Sequence, residues 1–177
     1  MIYFTSDLHF VHKNIAGPKV SRWNKGYRNF ETVHDMNKAI LASINDTVKS
    51  SDTLYILGDL AFSDPFYLLD RINCGNIIVI FGNHDNRDLI KQHSKVKETH
   101  EFLERNFNGQ MFVMCHYPLR QWNKCHHGSM HLYGHCHHTI PDLNRSMDIG
   151  WCKYRRPLSI NEVIAMLEPK DYTDHHD

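Results

Sequence analysis

The chain has 177 residues, with 20 Lys plus Arg against 20 Asp plus Glu and a formal net charge of zero. Such a length suggests one domain with a sizeable core. The neutral balance argues against a coat for long nucleic acid, whose usual footprint is a basic surplus, and no apolar run approaches the roughly 20 residues of a membrane helix.

The opening "MIYFTS" reads as a short strand, followed by a long polar and aromatic loop over about residues 7–30. In "ETVHDMNKAILASINDTVKS", Val33, Met36, Ile40, Ile44 and Val48 recur at three- and four-residue steps, the period of an amphipathic helix. "DTLYIL" is a second strand and "GDLAFSD" a loop. Asp64 and Pro65 predict a cap and a first helical position for "PFYLLDRIN", and "NIIVIF" is a third strand. Strands separated by helices in this way predict β-α-β units and a parallel sheet. The pattern then changes. Asn108-Gly109 inside "EFLERNFNGQMFVMC" predicts a hairpin. "HLYGH" and "RSMDIGW" suggest further short strands, and "PLSINEVIAMLE" a last helix with Ser159 and Glu162 placed for a capping box. The tail "DYTDHHD" reads as solvated. With no repeat, low-complexity stretch or linker, residues 1–177 are expected to form one compact α/β domain with a mixed second half.

"MIYFTSD" lacks a basic region followed by a long apolar one, so no export signal is expected. The five cysteines (Cys74, Cys115, Cys125, Cys136, Cys152) form no C-x-x-C pair and are odd in number. They read as reduced thiols in a cytoplasmic protein. Histidine is the unusual count, 15 residues, and neutral imidazole is the commonest transition-metal ligand.

The polar residues fall in a pattern. Asp7 and His9 follow the first strand as "SDLH", Gly58 and Asp59 the second as "LGDL", and Asn83 and His84 the third as "GNHD". His116 follows "MFVMC", and His135 and His137 follow "HLYG" as "GHCH". Each piece alone is weak: Gly and Asn serve turns, and a lone D-x-H or G-D recurs by chance. Together they are hard to produce by chance. In open α/β sheets the carboxyl ends of the strands converge on one crevice where ligands bind. The donors would then be Asp7, His9, Asp59, Asn83, His116, His135 and His137, with no thiolate among them. Oxygen and nitrogen ligands in this mixture suit Mn, Fe, Ni or Zn as first-row divalent ions better than a structural zinc knuckle. They are too many for one tetrahedral ion and about right for two ions sharing a carboxylate.

In the order "DLH", "GD", "GNHD", "CH", "GHCH", from residue 7 to residue 137, the chain resembles the calcineurin-like metallophosphoesterase family. "TSDLHFVHKNI" and the short length look most like its small phage and bacterial members. The resemblance implies a four-layer α/β/β/α sandwich with two mixed sheets and a dinuclear metal centre. One ion would be held by Asp7, His9, Asp59 and His137, the other by Asp59, Asn83, His116 and His135, with Asp59 as the bridge. It implies a phosphoesterase in which a hydroxide activated by both ions attacks phosphorus. His84, beside a ligand but outside the ligand set, is the candidate general acid. One departure matters: where protein phosphatases of this family continue as G-D-x-x-D-R-G, this chain has Phe62 and Ser63 for the Asp and Arg. A small substrate is therefore expected, and what orients His84 stays open, Asp85 being a neighbour in sequence only.

Substrate recognition is sought in the loop after His9. His12, Lys13 and Asn14 lead into "PKVSRWNKGYR", where Lys19, Arg22, Lys25 and Arg28 interleave with Trp23 and Tyr27. Cations and aromatic faces suit a phosphate and a base, although charge runs are commonly just solvated. His12 and Arg22 are singled out because a loop starting at two ligands should pass over the metals. "KCHHGSMH" and "KYRR" are possible further walls, with His126 and His127 alternatively mere surface. The expected substrate is a small phosphodiester such as a nucleotide or cyclic nucleotide. A phosphomonoesterase is the near alternative, and a non-catalytic scaffold on the same fold the distant one. Neither a membrane nor an extended nucleic acid is expected as a partner.

Overall fold

The structure, a computed structural model, describes residues 1–172; the end of the tail, residues 173–177, lies outside the described part. In chain order the elements are β1 (Ile2–Thr5), α1 (Lys13–Ala16), α2 (Val33–Thr47), β2 (Thr53–Leu57), α3 (Phe66–Leu69), β3 (Ile77–Ile80), α4 (Arg87–Gln92) and β4 (Val96–His100). There follow β5 (Phe102–Phe107), β6 (Gln110–Cys115), a 3₁₀ turn at Cys125–His127, β7 (Met130–Tyr133), β8 (Ser146–Asp148), α5 (Trp151–Tyr154), β9 (Leu158–Ser159) and α6 (Ile160–Leu167). No helix among the described residues is long and apolar enough to cross a membrane.

Two mixed sheets result. The first has the order β4-β3-β2-β1-β9, its first four strands parallel and β9 antiparallel. The second has the order β5-β6-β7-β8, with only β5 antiparallel to its neighbour. The first sheet is buried on both faces, which is why β2 and β3 read as unbroken apolar runs. Leu54, Ile56, Ile77 and Val79 meet Met36, Ile40 and Ile44 of α2 on one side. Phe4, Tyr55, Leu57, Ile78 and Ile80 meet Phe112, Met114, Met130 and Leu132 of the second sheet on the other. The fourth layer is thin. Trp122, Cys125 and Leu119 pack on Val113 at the outer face of the second sheet.

The predicted hairpin is present: Asn108 and Gly109 have φ of 51° and 92°, the two positive values that a tight β5–β6 turn of this type requires. The capping box is present too, Ser159 and Glu162 each satisfying the other's backbone. The helix expected over "PFYLLDRIN" is a single turn. Asp64 Oδ1 does accept the Phe66 amide at 2.9 Å, but the Lys95 ammonium takes the carbonyls of Leu69, Asp70 and Ile72. Those oxygens are then lost to a continuing helical ladder. Strand β4, "VKETH", is polar because it is an edge; Glu98 there pairs with Arg105 of β5 at 2.6 Å, tying the two sheets together.

Candidate metal centre

The tips of β1 and β2 stay side by side beyond the strands. The amides of Asp7, His9 and Phe10 donate to the carbonyls of Gly58, Asp59 and Leu60 at 3.0, 2.8 and 3.1 Å. Along this stretch the backbone leaves the pleat: Asp7, His9 and Asp59 have φ of 52°, 48° and 53°, and His135 and His137 have 67° and 48°. A side-chain-bearing residue in the left-handed region costs on the order of 1–3 kcal/mol and persists only where its surroundings over-determine it. Five candidate ligands share that conformation.

The motif glycines make room for this crowding. A Cβ on Gly82 would lie 2.3 Å from Asp59 Oδ1, and one on Gly134 2.4 Å from Asp7 Oδ2. The strand tips therefore approach closely only because these positions are bare. Asp85 fastens the same junction: Oδ2 accepts the amides of Asp59 and Gly82 at 3.0 and 2.8 Å, and Oδ1 that of Leu60 at 2.8 Å. Its carboxylate thus binds strand tips and not the His84 ring.

Around this junction the donors converge. His9 Nε2 lies 3.1 Å from His137 Nε2 and 3.5 Å from Asp59 Oδ2. Asp7 Oδ1 stands 3.9 and 3.8 Å from the Nε2 atoms of His9 and His137. Two groups, Asp7–His9–His137 and Asp7–Asp59–His116, each bring their donor atoms within 4.8 Å of one another. His116 is the sharpest indicator. It is fully buried, its Nδ1–H donates to Leu57 O at 2.8 Å, and its Nε2 has no hydrogen-bond partner. That Nε2 faces Asp59 Oδ2 at 3.6 Å, too far for a hydrogen bond. A buried nitrogen that faces a carboxylate across a gap too wide for a hydrogen bond is a place a cation would complete, so the residues fit divalent metal ions.

Charge follows the geometry. Burial pushes the Asp59 carboxyl up, but the His116 imidazole and the His84 amide outweigh it and hold the group at about 2. Burial lowers His9 to about 2, against the opposing pull of Asp59, so the ring is neutral and has a lone pair to give. Burial raises Asp7, although His137 and Ser6 pull the other way.

Behind the ligands stands a second set of groups. Arg28 is buried and donates to the carbonyls of Asp7 and Leu8 and, from Nε, to Cys152 Sγ at 3.3 Å. His137 Nδ1 lies 3.3 Å from the same sulfur. Burial pushes the Cys152 thiol up, but His137 and Arg28 bring it below its ordinary value. His12 is buried, with Nδ1 3.3 Å from His9 Nδ1 and its ring stacked on Phe62 at 3.8 Å. Partners of this kind fix which nitrogen of a ligand carries the proton and which way the ring points.

All seven candidate ligands meet at one edge, but unevenly. Asn83 and His135 are exposed, with His135 Nδ1 3.1 Å from Asn83 Oδ1. His84 is exposed as well. Its ring stands 5.2 Å from Phe62 and 5.8 Å from His9, and its amide donates to Asp59 Oδ1 at 3.0 Å. A cleft of about 300 Å³ is lined by His9, His12, Trp23, Asp59, His84, His135 and His137. Arg22 does not line it; it borders an adjoining cavity with His12 and Phe62. Arg28, expected in the recognition loop, is core. "KCHHGSMH" is not a wall of the site, because Cys125 packs on Val113 and His131 is buried between Val113 O and the Leu119 amide. In "KYRR", Arg155 lies over Trp151 and Arg156 pairs with Glu162 at 2.5 Å.

Comparison with known proteins agrees with this architecture. An uncharacterized protein of Methanocaldococcus jannaschii is 30% identical over 182 residues, covering 94% of this chain and 91% of that protein. A protein of unknown function from Aquifex aeolicus superposes with a TM-score of 0.68 at 22% identity, over 94% of this chain and 98% of that one. Yfce, a phosphoesterase from E. coli, superposes with a TM-score of 0.50 at 16% identity, over 84% and 77%. The sequence profile of the calcineurin-like phosphoesterases matches residues 1–176, taking in every strand tip described above, and the chain belongs to that family.

Proposed function

We propose that the chain hydrolyses a small phosphodiester, a nucleotide or cyclic nucleotide being the kind in view, at a centre for two divalent ions of the Mn, Fe, Ni or Zn class. The observation that carries this reading is the position of Asp59 Oδ2, 3.5 Å from His9 Nε2 and 3.6 Å from the partnerless His116 Nε2. One carboxylate oxygen between two imidazole nitrogens is what a bridge between two cations needs. Asp7, His9, Asp59 and His137 would hold one ion, and Asp59, Asn83, His116 and His135 the other. When bound, such a pair lowers the pKa of water and neutralises charge on phosphoryl oxygens.

The chain's own groups supply the rest. Asp85 and Arg28 keep the strand tips in register, and His12 and Cys152 aim the rings of His9 and His137. His84, at the open side of the cleft, donates a proton to the leaving oxygen, a role that typically contributes about 10²–10⁴-fold. The cleft is at the small end of ligand pockets, and Phe62 and Ser63 stand where a protein phosphatase would carry its acid and arginine.

Turnover of bis-p-nitrophenyl phosphate beside p-nitrophenyl phosphate, in Mn, Ni, Zn and Mg, tests the reading. Diester cleavage is expected. Cleavage of the monoester alone would move the assignment to a phosphomonoesterase, and none with any ion would leave a scaffold.

A further inference from the structure

The cations of the recognition loop have been sorted by folding. Arg28 is spent in the core, and Lys19 pairs with Glu31. Lys13 and Arg22 form no ion pair among the described residues, are exposed, and together line a cavity of about 400 Å³ with Val11, His12, Asn14, Val20 and Phe62. This cavity and the metal cleft share His12 as a wall. Phe62 is 47% exposed although its ring is large and apolar, and Trp23 beside His12 is 45% exposed. Two unpaired cations and uncovered aromatic rings beside a phosphoryl site describe a place for a flat ring and a second negative group.

The side on which this place lies can be read from His84. Its ring lies 5.8 Å from His9 on the metal side and 5.2 and 6.4 Å from Phe62 and His12, both of which border the cavity. A proton donor stands next to the oxygen that leaves. The cavity is therefore on the leaving-group side.

Resting on the proposed diesterase reading, we infer that this cavity is a second phosphate site, and that the preferred substrate is a diester whose leaving alcohol is a nucleoside carrying its own phosphate. Arg22 and Lys13 engage that phosphate, and the base lies between the exposed ring of Phe62 in this cavity and that of Trp23 in the adjoining cleft. Hydrolysis forms the bond from water oxygen to phosphorus, breaks the bond from phosphorus to the nucleoside oxygen, and leaves that oxygen protonated. The second phosphate is untouched and serves only as a handle.

The test compares the thymidine dinucleotide TpT with pTpT and TpTp, which carry the extra phosphate at one end or the other. One of the two is expected to exceed TpT in kcat/KM by roughly 10–100-fold, the range of a hydrogen bond to a charged group. In Lys13→Gln and Arg22→Gln the ratio falls toward one. Equal turnover of all three, or a preference that both variants retain, overturns the inference while the diesterase reading stands. The trinucleotide TpTpT separates the sources of the second phosphate: a preference for it over pTpT and TpTp points to an oligonucleotide, the reverse to a small terminally phosphorylated substrate. Calorimetry decides even without turnover. Thymidine 3′,5′-bisphosphate is expected to bind the wild type roughly tenfold or more tighter than either thymidine monophosphate, and Arg22→Gln to lose that margin; equal affinities would end the proposal.

Discussion

His116 and His84 each follow a strand, one in each sheet, yet the first is fully buried and the second is exposed. The same contrast divides the whole centre. Asp7, His9, Asp59 and His116 are buried and backed by Arg28, His12, Asp85 and the Leu57 carbonyl, whereas Asn83 and His135 are exposed. The buried part is held by these hydrogen bonds and carries left-handed backbone at Asp7, His9 and Asp59. The exposed part lies open to solvent. Rigidity on one side and access on the other suit a site that must hold ions and still admit a substrate.

The largest effect should come from the buried side. Asp59→Asn keeps the shape and removes the shared charge; bound divalent metal should fall, and diester turnover should drop by more than the roughly 100-fold typical of a group behind a ligand. Metal analysis of the purified variant beside a turnover assay checks both, and retention of both would remove Asp59 from the centre. On the exposed side, His84→Ala should leave metal content unchanged and cost about 10²–10⁴-fold in rate. Full turnover by a metal-replete variant refutes the acid role.

Since Arg28 is not among the proposed ligands, Arg28→Met sharpens the contrast. It strands the buried carbonyls of Asp7 and Leu8, and each unsatisfied group costs about 1–3 kcal/mol. Denaturant unfolding should show a loss of that order, with metal affinity down about 10–100-fold. Unchanged unfolding would mean that the strand tips hold themselves.

A buried imidazole outside the centre allows a pH test. Burial lowers His131 to about 4, against the opposing pull of the Val113 carbonyl that accepts its Nδ1–H, and Nε2 accepts from the Leu119 amide. The unfolded ring protonates first, near pH 6.5, so the stabilisation is complete above that value and is lost as pH falls from 6.5 to about 4. With chelator present, the wild type should lose on the order of 2–3 kcal/mol of unfolding free energy across this window, and a flat profile from pH 6.5 to 4.5 would contradict it. The smallest effect belongs to Ser159→Ala, far from the ligands: about 1 kcal/mol in stability from the lost cap, with metal content unchanged.

Much of this was legible in order along the chain. The β5–β6 turn and the α6 cap are local devices, and they stand where "NG" and "SINE" put them. That the candidate donors meet at one edge was legible because each follows an apolar run, and parallel strands must end on the same side. Strand β4 escaped notice because an edge strand alternates charge with little apolar signal, and α3 is short because Lys95 reaches it from a distant segment. Arg28 and Cys152 had no local signal at all; a loop arginine reads as solvated until the fold closes over it.

By itself, then, the amino-acid order determined which residues stand at strand tips, because alternation, apolar runs and turn chemistry act over a few neighbours. Only the tertiary structure decided how those tips face one another, which loop cations enter the core and which stay free, and which imidazole is left with a buried, partnerless nitrogen. Those outcomes depend on contacts between residues far apart in the chain, where burial and close approach set the energy and spacing along the chain does not.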